Sequence, residues 1–122
     1  GSGGSSKAVQ QALSKLGISF KVVSRDKTSG DYAYEEINAN ANEIEASNLI
    51  VNTTPLGMHP NESAMPPLST EHITRDHYVY DLIYNPARTQ FLQKAEIRGA
   101  TIKNGLEMLH VQAEKSWTIW NK

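Results

Sequence analysis

The sequence predicts an α/β fold, a parallel sheet with helices on both faces. Two observations carry this. Short β-branched runs alternate with helical patterns along the chain, and a glycine-rich turn opens directly onto an amphipathic helix. Size agrees, because 122 residues hold one domain with a hydrophobic core and are too few for two.

The elements follow in order. Across residues 5–16, Ala8, Val9, Ala12, Leu13 and Leu16 share one helical face, and Gly17 is a natural stop. Residues 18–24 (ISFKVVS) are β-branched-rich and predict a strand. A polar turn containing Gly30 spans 25–31, and a short helix is expected over 43–46. Residues 49–52 read as a buried strand that ends abruptly at Thr53-Thr54-Pro55. Glycine and proline make 56–67 a loop, and a helical turn at 69–74 leads into a strand over 78–83. Phe91, Leu92, Ala95 and Ile97 give 89–98 an apolar helical face closed by Gly99. A brief strand at 101–103 and a helix from 106 to 120 complete the chain.

Composition excludes several classes of function. Apolar residues make up 39% and charged residues 20%, as in ordinary globular domains. A net charge of −1 supplies no field for unspecific binding to nucleic acid or membrane. No apolar run approaches the roughly 20 residues that span a bilayer. The absence of cysteine rules out disulfides and thiolate metal sites and fits a reducing cytoplasm. His59, His72, His77 and His110 lack metal-ligand spacing and read as surface or packing residues. Trp117 and Trp120 form a stripe with Leu106, Leu109 and Ala113 that suits core or domain packing.

The chemistry concentrates at the glycine turn and at the strand ends. Gly1-x-Gly3-Gly4-x-x-x-Ala8 permits a tight turn and lets backbone amides at a helix start face a pyrophosphate. In dinucleotide-binding folds an acid about 20 residues further on reads the ribose 2′-hydroxyl. Here Ser24-Arg25 stands there instead, and a guanidinium suits a 2′-phosphate, with Lys27 able to help. Spacing alone leaves open that Arg25 is a solvated turn cation. Ligands of open α/β sheets bind beyond the carboxyl ends of the strands. Arg25, Thr53-Thr54, Tyr84 and Asn104-Gly105 follow four predicted strands and would line one rim. Gly105, Met108 and Gln112 share a helical stripe opening there, although Met108 as core and Gln112 as a solvated flank fit the spacing equally.

Four segments in order resemble motifs of the shikimate dehydrogenase family. Gly1-Ser2-Gly3-Gly4-Ser5-Ser6-Lys7-Ala8 is similar to its G-x-G-G-x-[SG]-[RK]-A loop, and Asn52-Thr53-Thr54-Pro55-Leu56-Gly57-Met58 to its N-[AT]-T-P-x-G-M segment. Residues 81–92 (DLIYNPARTQFL) resemble D-x-x-Y-x-P-x-x-T-x-F-L, and residues 105–113 (GLEMLHVQA) resemble G-L-x-M-L-x-x-Q-A. The resemblance implies a Rossmann-like NADP-binding domain spanning 1–122. It places the cofactor on Gly1, Ser2, Gly3, Gly4, Ser5, Ser24, Arg25, Asp26, Lys27, Thr28, Thr53, Thr54, Leu82, Gly105 and Met108, and the substrate on Tyr84 and Gln112. The family usually reads Asn-Arg-Thr where this chain has Ser24-Arg25-Asp26. Asp26 weakens the argument for NADP over NAD, and the retained Arg25 favours NADP.

The implied activity is reversible NADPH-dependent reduction of 3-dehydroshikimate to shikimate, a cytoplasmic step of aromatic amino-acid biosynthesis. The family's catalytic lysine and aspartate belong to an N-terminal substrate domain with no match here. No catalytic residue is therefore assigned, and the segment alone is expected to be inactive. The expected partners are the small-molecule substrate and that N-terminal domain, in a monomer or homodimer, with no metal, nucleic acid or membrane. Two alternatives are an NAD-using quinate/shikimate dehydrogenase and a non-catalytic nucleotide-binding module. A glycine turn of this kind follows the central strand of the sheet, yet the sequence opens on the turn itself. That strand is expected to be missing rather than residues 1–6 being an appended linker, which would need no matched helix behind it. The strands flanking the gap should then expose unpaired edges.

Overall fold

The structure, a computed structural model, describes residues 4–106. Helix α1 (Gly4–Lys15) leads through Gly17, at φ 72°, into strand β1 (Val23–Ser24). A 3-10 turn (Lys27–Ser29) returns the chain to β2 (Tyr32–Ala33), followed by α2 (Tyr34–Asn38) and α3 (Ala41–Ala46). Strands β3 (Leu49–Asn52) and β4 (Tyr78–Asp81), helix α4 (Gln90–Ile97) and strand β5 (Thr101–Lys103) complete the described part. Every ladder is parallel. β1 pairs with β2 in one small sheet, and a second has the order β3-β4-β5. The predicted α/β class with parallel strands is what the chain adopts.

The core sits under the second sheet. Ile73, Val79, Phe91, Leu92, Ala95 and Ala100 form one buried cluster between α4 and the strands. Burying a side chain such as Phe91 or Leu92 contributes about 1.5–3 kcal/mol. Helix α4 starts where expected because the Thr89 side chain accepts from the Leu92 amide, and it stops where Gly99 adopts φ 92°. His77 packs at the foot of β4 as a neutral imidazole. Its Nδ1 accepts from the Thr74 amide at 2.9 Å, which leaves Nε2 to donate to the Ile44 carbonyl at 2.8 Å. Among the described residues no helix is long and apolar enough to cross a membrane.

Several expectations are corrected. The strand predicted over 18–24 is reduced to Val23–Ser24, because a strand needs a neighbour and β2 offers only Tyr32 and Ala33. β2 and α2 were not anticipated from the sequence. The helical turn expected at 69–74 is instead a pair of isolated turns closed by Ile73 N–H to Thr70 and His77 N–H to Thr74. The strand predicted over 78–83 ends at Asp81. The β3 strand is less buried than predicted, with Leu49 46% exposed. The apolar face of α1 is also only partly covered, for Val9 and Leu13 are half-buried while Ala8, Ala12 and Leu16 are exposed.

These shortfalls meet in one place. A cleft of about 430 Å³ separates residues 18–23 from β3, with Ser6, Val9 and Leu13 of α1 alongside. Among the described residues no ladder crosses it. Asn48 and Asn52 direct their carbonyls toward β4 and its continuation, so by strand alternation the backbone groups of Leu49 and Val51 face the cleft.

Candidate functional site

A second cleft, of about 440 Å³, opens where β3 and β4 end. Ser5, Thr53, Thr54, Leu82 and Tyr84 line it, so five predicted site residues from three segments share one space. Two of these segments are turned there by local hydrogen bonds. Asn52 Oδ1 accepts from both the Thr54 amide (3.0 Å) and the Thr54 hydroxyl (2.7 Å), curling the chain off β3. Asp81 Oδ1 accepts from the Ile83 amide at 3.1 Å and does the same for Leu82. The start of α1 brings Ser5, with open space where a Cβ on Gly4 would stand.

Gly105 joins this region by a different route than expected. A Cβ on it would overlap the Leu82 carbonyl, so its missing side chain makes room for protein backbone. Its amide donates to the Ile83 carbonyl at 3.1 Å. The residues after β4 and after β5 are thus pressed together behind the cleft.

Residues 24–28 do not line this cleft and belong to the β1–β2 unit. Ser24 is buried, while Arg25, Asp26, Lys27 and Thr28 are exposed. Asp26 caps the turn by accepting from the Thr28 amide at 3.0 Å, and that bond holds its carboxyl below the usual aspartate range. Lys27 pairs with Glu36 at 3.0 Å, and the Ala33 amide and then Lys27 hold the Glu36 carboxyl low. Arg25 is left without a carboxylate partner among the described residues. Burial raises the Tyr34 phenol, opposed by the Arg25 charge.

The sequence reasoning missed Met58, His59 and Asn85 as further lining residues. The His59 amide donates to the Asn85 carbonyl at 3.0 Å, tying the two loops together. Met58 and Asn85 stand inside the quoted segments, so the signal was present, but nothing local said which loop residues would face inward. Gly1, Ser2, Gly3, Met108 and Gln112 lie outside the described residues, as does the helix expected to 120. Among the described residues no group of three or more His, Asp or Glu could hold a metal ion.

No family model matches the chain. Curated relatives do. The chain is 40% identical over 132 residues to a protein of Methanococcus aeolicus named shikimate dehydrogenase (NADP(+)), covering 98% of this chain and 47% of that protein. Among solved structures, a chorismate mutase/shikimate 5-dehydrogenase fusion protein from Clostridium acetobutylicum superposes with a TM-score of 0.81 at 37% identity, over 99% of this chain and 44% of that one. A shikimate dehydrogenase in complex with NADP+ gives 0.70 at 30% identity, over 98% of this chain and 46% of that one. The chain spans about half the length of the curated relatives it matches. In sequence and in fold, then, it is related along nearly its whole length to the shikimate dehydrogenase family, of whose members it covers about half.

Proposed function

We propose that the chain is the NADP-binding domain of a two-domain shikimate dehydrogenase, acting in the cytoplasm on 3-dehydroshikimate and shikimate. The observation that carries this is the convergence of Ser5, Thr53, Thr54, Leu82 and Tyr84 on one cleft at the carboxyl ends of parallel strands. The lengths of the relatives and the first cleft support the two-domain reading. A central strand leading into Gly1 would sit between residues 18–23 and β3, where β-branched sequence lies without a ladder.

The residues present suit a phosphorylated dinucleotide. Arg25 is an exposed cation at the end of β1 that makes no salt bridge among the described residues. Gly4 and Ser5 stand at the amino end of α1, where backbone amides favour a pyrophosphate. Thr53 and Thr54 would border the adenosine portion, Leu82, Gly105 and Met108 the nicotinamide, and Tyr84 and Gln112 the substrate. When bound, the reduced nicotinamide supplies the hydride. This chain's residues orient the ring and exclude water around it, while the proton that completes the alcohol comes from the preceding domain. The segment alone is therefore expected to show no shikimate-dependent NADP+ reduction.

Titrating the chain with NADPH and NADH tests the reading. NADPH should bind more tightly by about tenfold or more, the worth of one charge-assisted contact. Arg25→Ala should abolish that preference. Absence of binding to either nucleotide would sink the proposal. Tighter binding of NADH would favour the NAD-using quinate/shikimate dehydrogenase instead, a reading that the Asp26 carboxylate beside Arg25 keeps in view.

A further inference from the structure

One buried titratable group has no part in the site as described. Asp81 has no exposed surface, and its strand is followed at once by the cleft residues. Its Oδ2 accepts from the Thr89 hydroxyl at 2.8 Å, and its Oδ1 from the Asn52 side-chain amide and the Ile83 amide, each at 3.1 Å. Thr89 in turn accepts from the Leu92 amide at 3.2 Å. Asn52 accepts from Thr54, whose hydroxyl accepts from the Leu56 amide at 3.2 Å. One carboxylate thereby fastens three segments: the turn after β3, the turn after β4 and the first turn of α4. Among the described residues no buried side-chain polar atom lacks a partner, so every buried polar atom of the network is engaged.

Two of those segments carry Thr53, Thr54, Leu82 and Tyr84 into the cleft, whereas Arg25 hangs from the other sheet. We propose that Asp81 is a positioning residue for the nicotinamide end of the site, setting the turn after β4 that carries Leu82 and Tyr84 without touching the ligand. This rests on the cofactor reading above. An apolar residue at this place would pack the core as well, but it would leave Asn52, Thr89 and the Ile83 amide without their acceptor. The carboxylate geometry is thus tied to the cleft walls more than to the core.

The test divides the cofactor. NADPH spans both ends, whereas 2′,5′-ADP carries the 2′-phosphate and no nicotinamide. In the 122-residue chain, Asp81→Asn should weaken NADPH binding by on the order of tenfold, the cost of one disturbed buried hydrogen bond. Affinity for 2′,5′-ADP should stay within about twofold. Thr89→Val should reproduce this split if Asp81→Asn does not fold, and Thr89→Ser, which keeps the hydroxyl, should restore NADPH binding. Equal losses for both ligands would show a role in the whole fold and overturn the proposal, as would no loss for either. If the unsubstituted chain binds neither ligand, the cofactor reading falls and this proposal with it. Binding by the unsubstituted chain with unsplit losses overturns this proposal alone.

Discussion

The two sheets are built from similar sequence and end in different states. Around β3-β4-β5, helix α4 buries Phe91, Leu92 and Ala95 and every strand has a neighbour on at least one edge. Around β1-β2, helix α1 buries only Ser6, and Leu16 and Ile18 are 73% and 47% exposed. The β-branched run at 18–24 is as strand-like as the run at 49–52, yet only its last two residues join a ladder. β-propensity describes a fit to a pleated, half-buried surface, and without that surface it produces no strand.

Substitutions on the two sides should break or sharpen this contrast. Phe91→Ala should cost about 3–5 kcal/mol in urea unfolding, while Leu13→Ala, facing the open cleft, should cost about 1 kcal/mol or less. Comparable losses would mean that α1 is packed as firmly as α4. Next in size, Gly105→Ala should cost about 1–3 kcal/mol, because Leu82 must give way to a new methyl group. A neutral result in thermal melts would show that the turns behind the second cleft are loose.

A third prediction concerns pH. Burial raises the Asp81 carboxyl, and the bonds from Ile83, Thr89 and Asn52 only partly oppose it. A carboxyl raised in the folded state binds more protons there than in the unfolded chain, so stability falls as pH rises through the raised value. Relative to Asp81→Asn, the native chain should gain stability on acidification toward the ordinary aspartate range and level off below it. Denaturation midpoints for the pair across that window check the sign. The smallest effect belongs to Leu49→Lys, expected within about 0.5 kcal/mol because the side chain is half exposed at the rim of the first cleft. A large loss would mean that something already covers that edge.

Much of the packed half was legible in the sequence. Asn52-Thr53-Thr54-Pro55 announced the end of β3, and Thr89 with Gly99 bracketed α4 to within a residue, because caps and breakers act locally. The site was legible where residues directly follow predicted strands, as Thr53, Thr54 and Tyr84 do, whereas Leu82 was assigned only through the family resemblance. It was not legible where the partner is distant. Asn52 meets Asp81 across the sheet, and Gly105 meets Leu82 through a register that no short spacing encodes. The fate of residues 18–22 was hidden for the same reason, since a ladder depends on what stands alongside.

The turn bearing Arg25 is fastened at both ends. The Val22 amide donates to Asp31 Oδ2 at 2.7 Å, the Ser29 amide returns to the Asp26 carbonyl, and Gly30 sits so close to the Val22 carbonyl that a Cβ would stand 2.8 Å from it. Chain freedom in this connection was surrendered when the protein folded. An anion arriving at the guanidinium has only the arginine's own rotamers left to freeze, a penalty of at most about 2 kcal/mol.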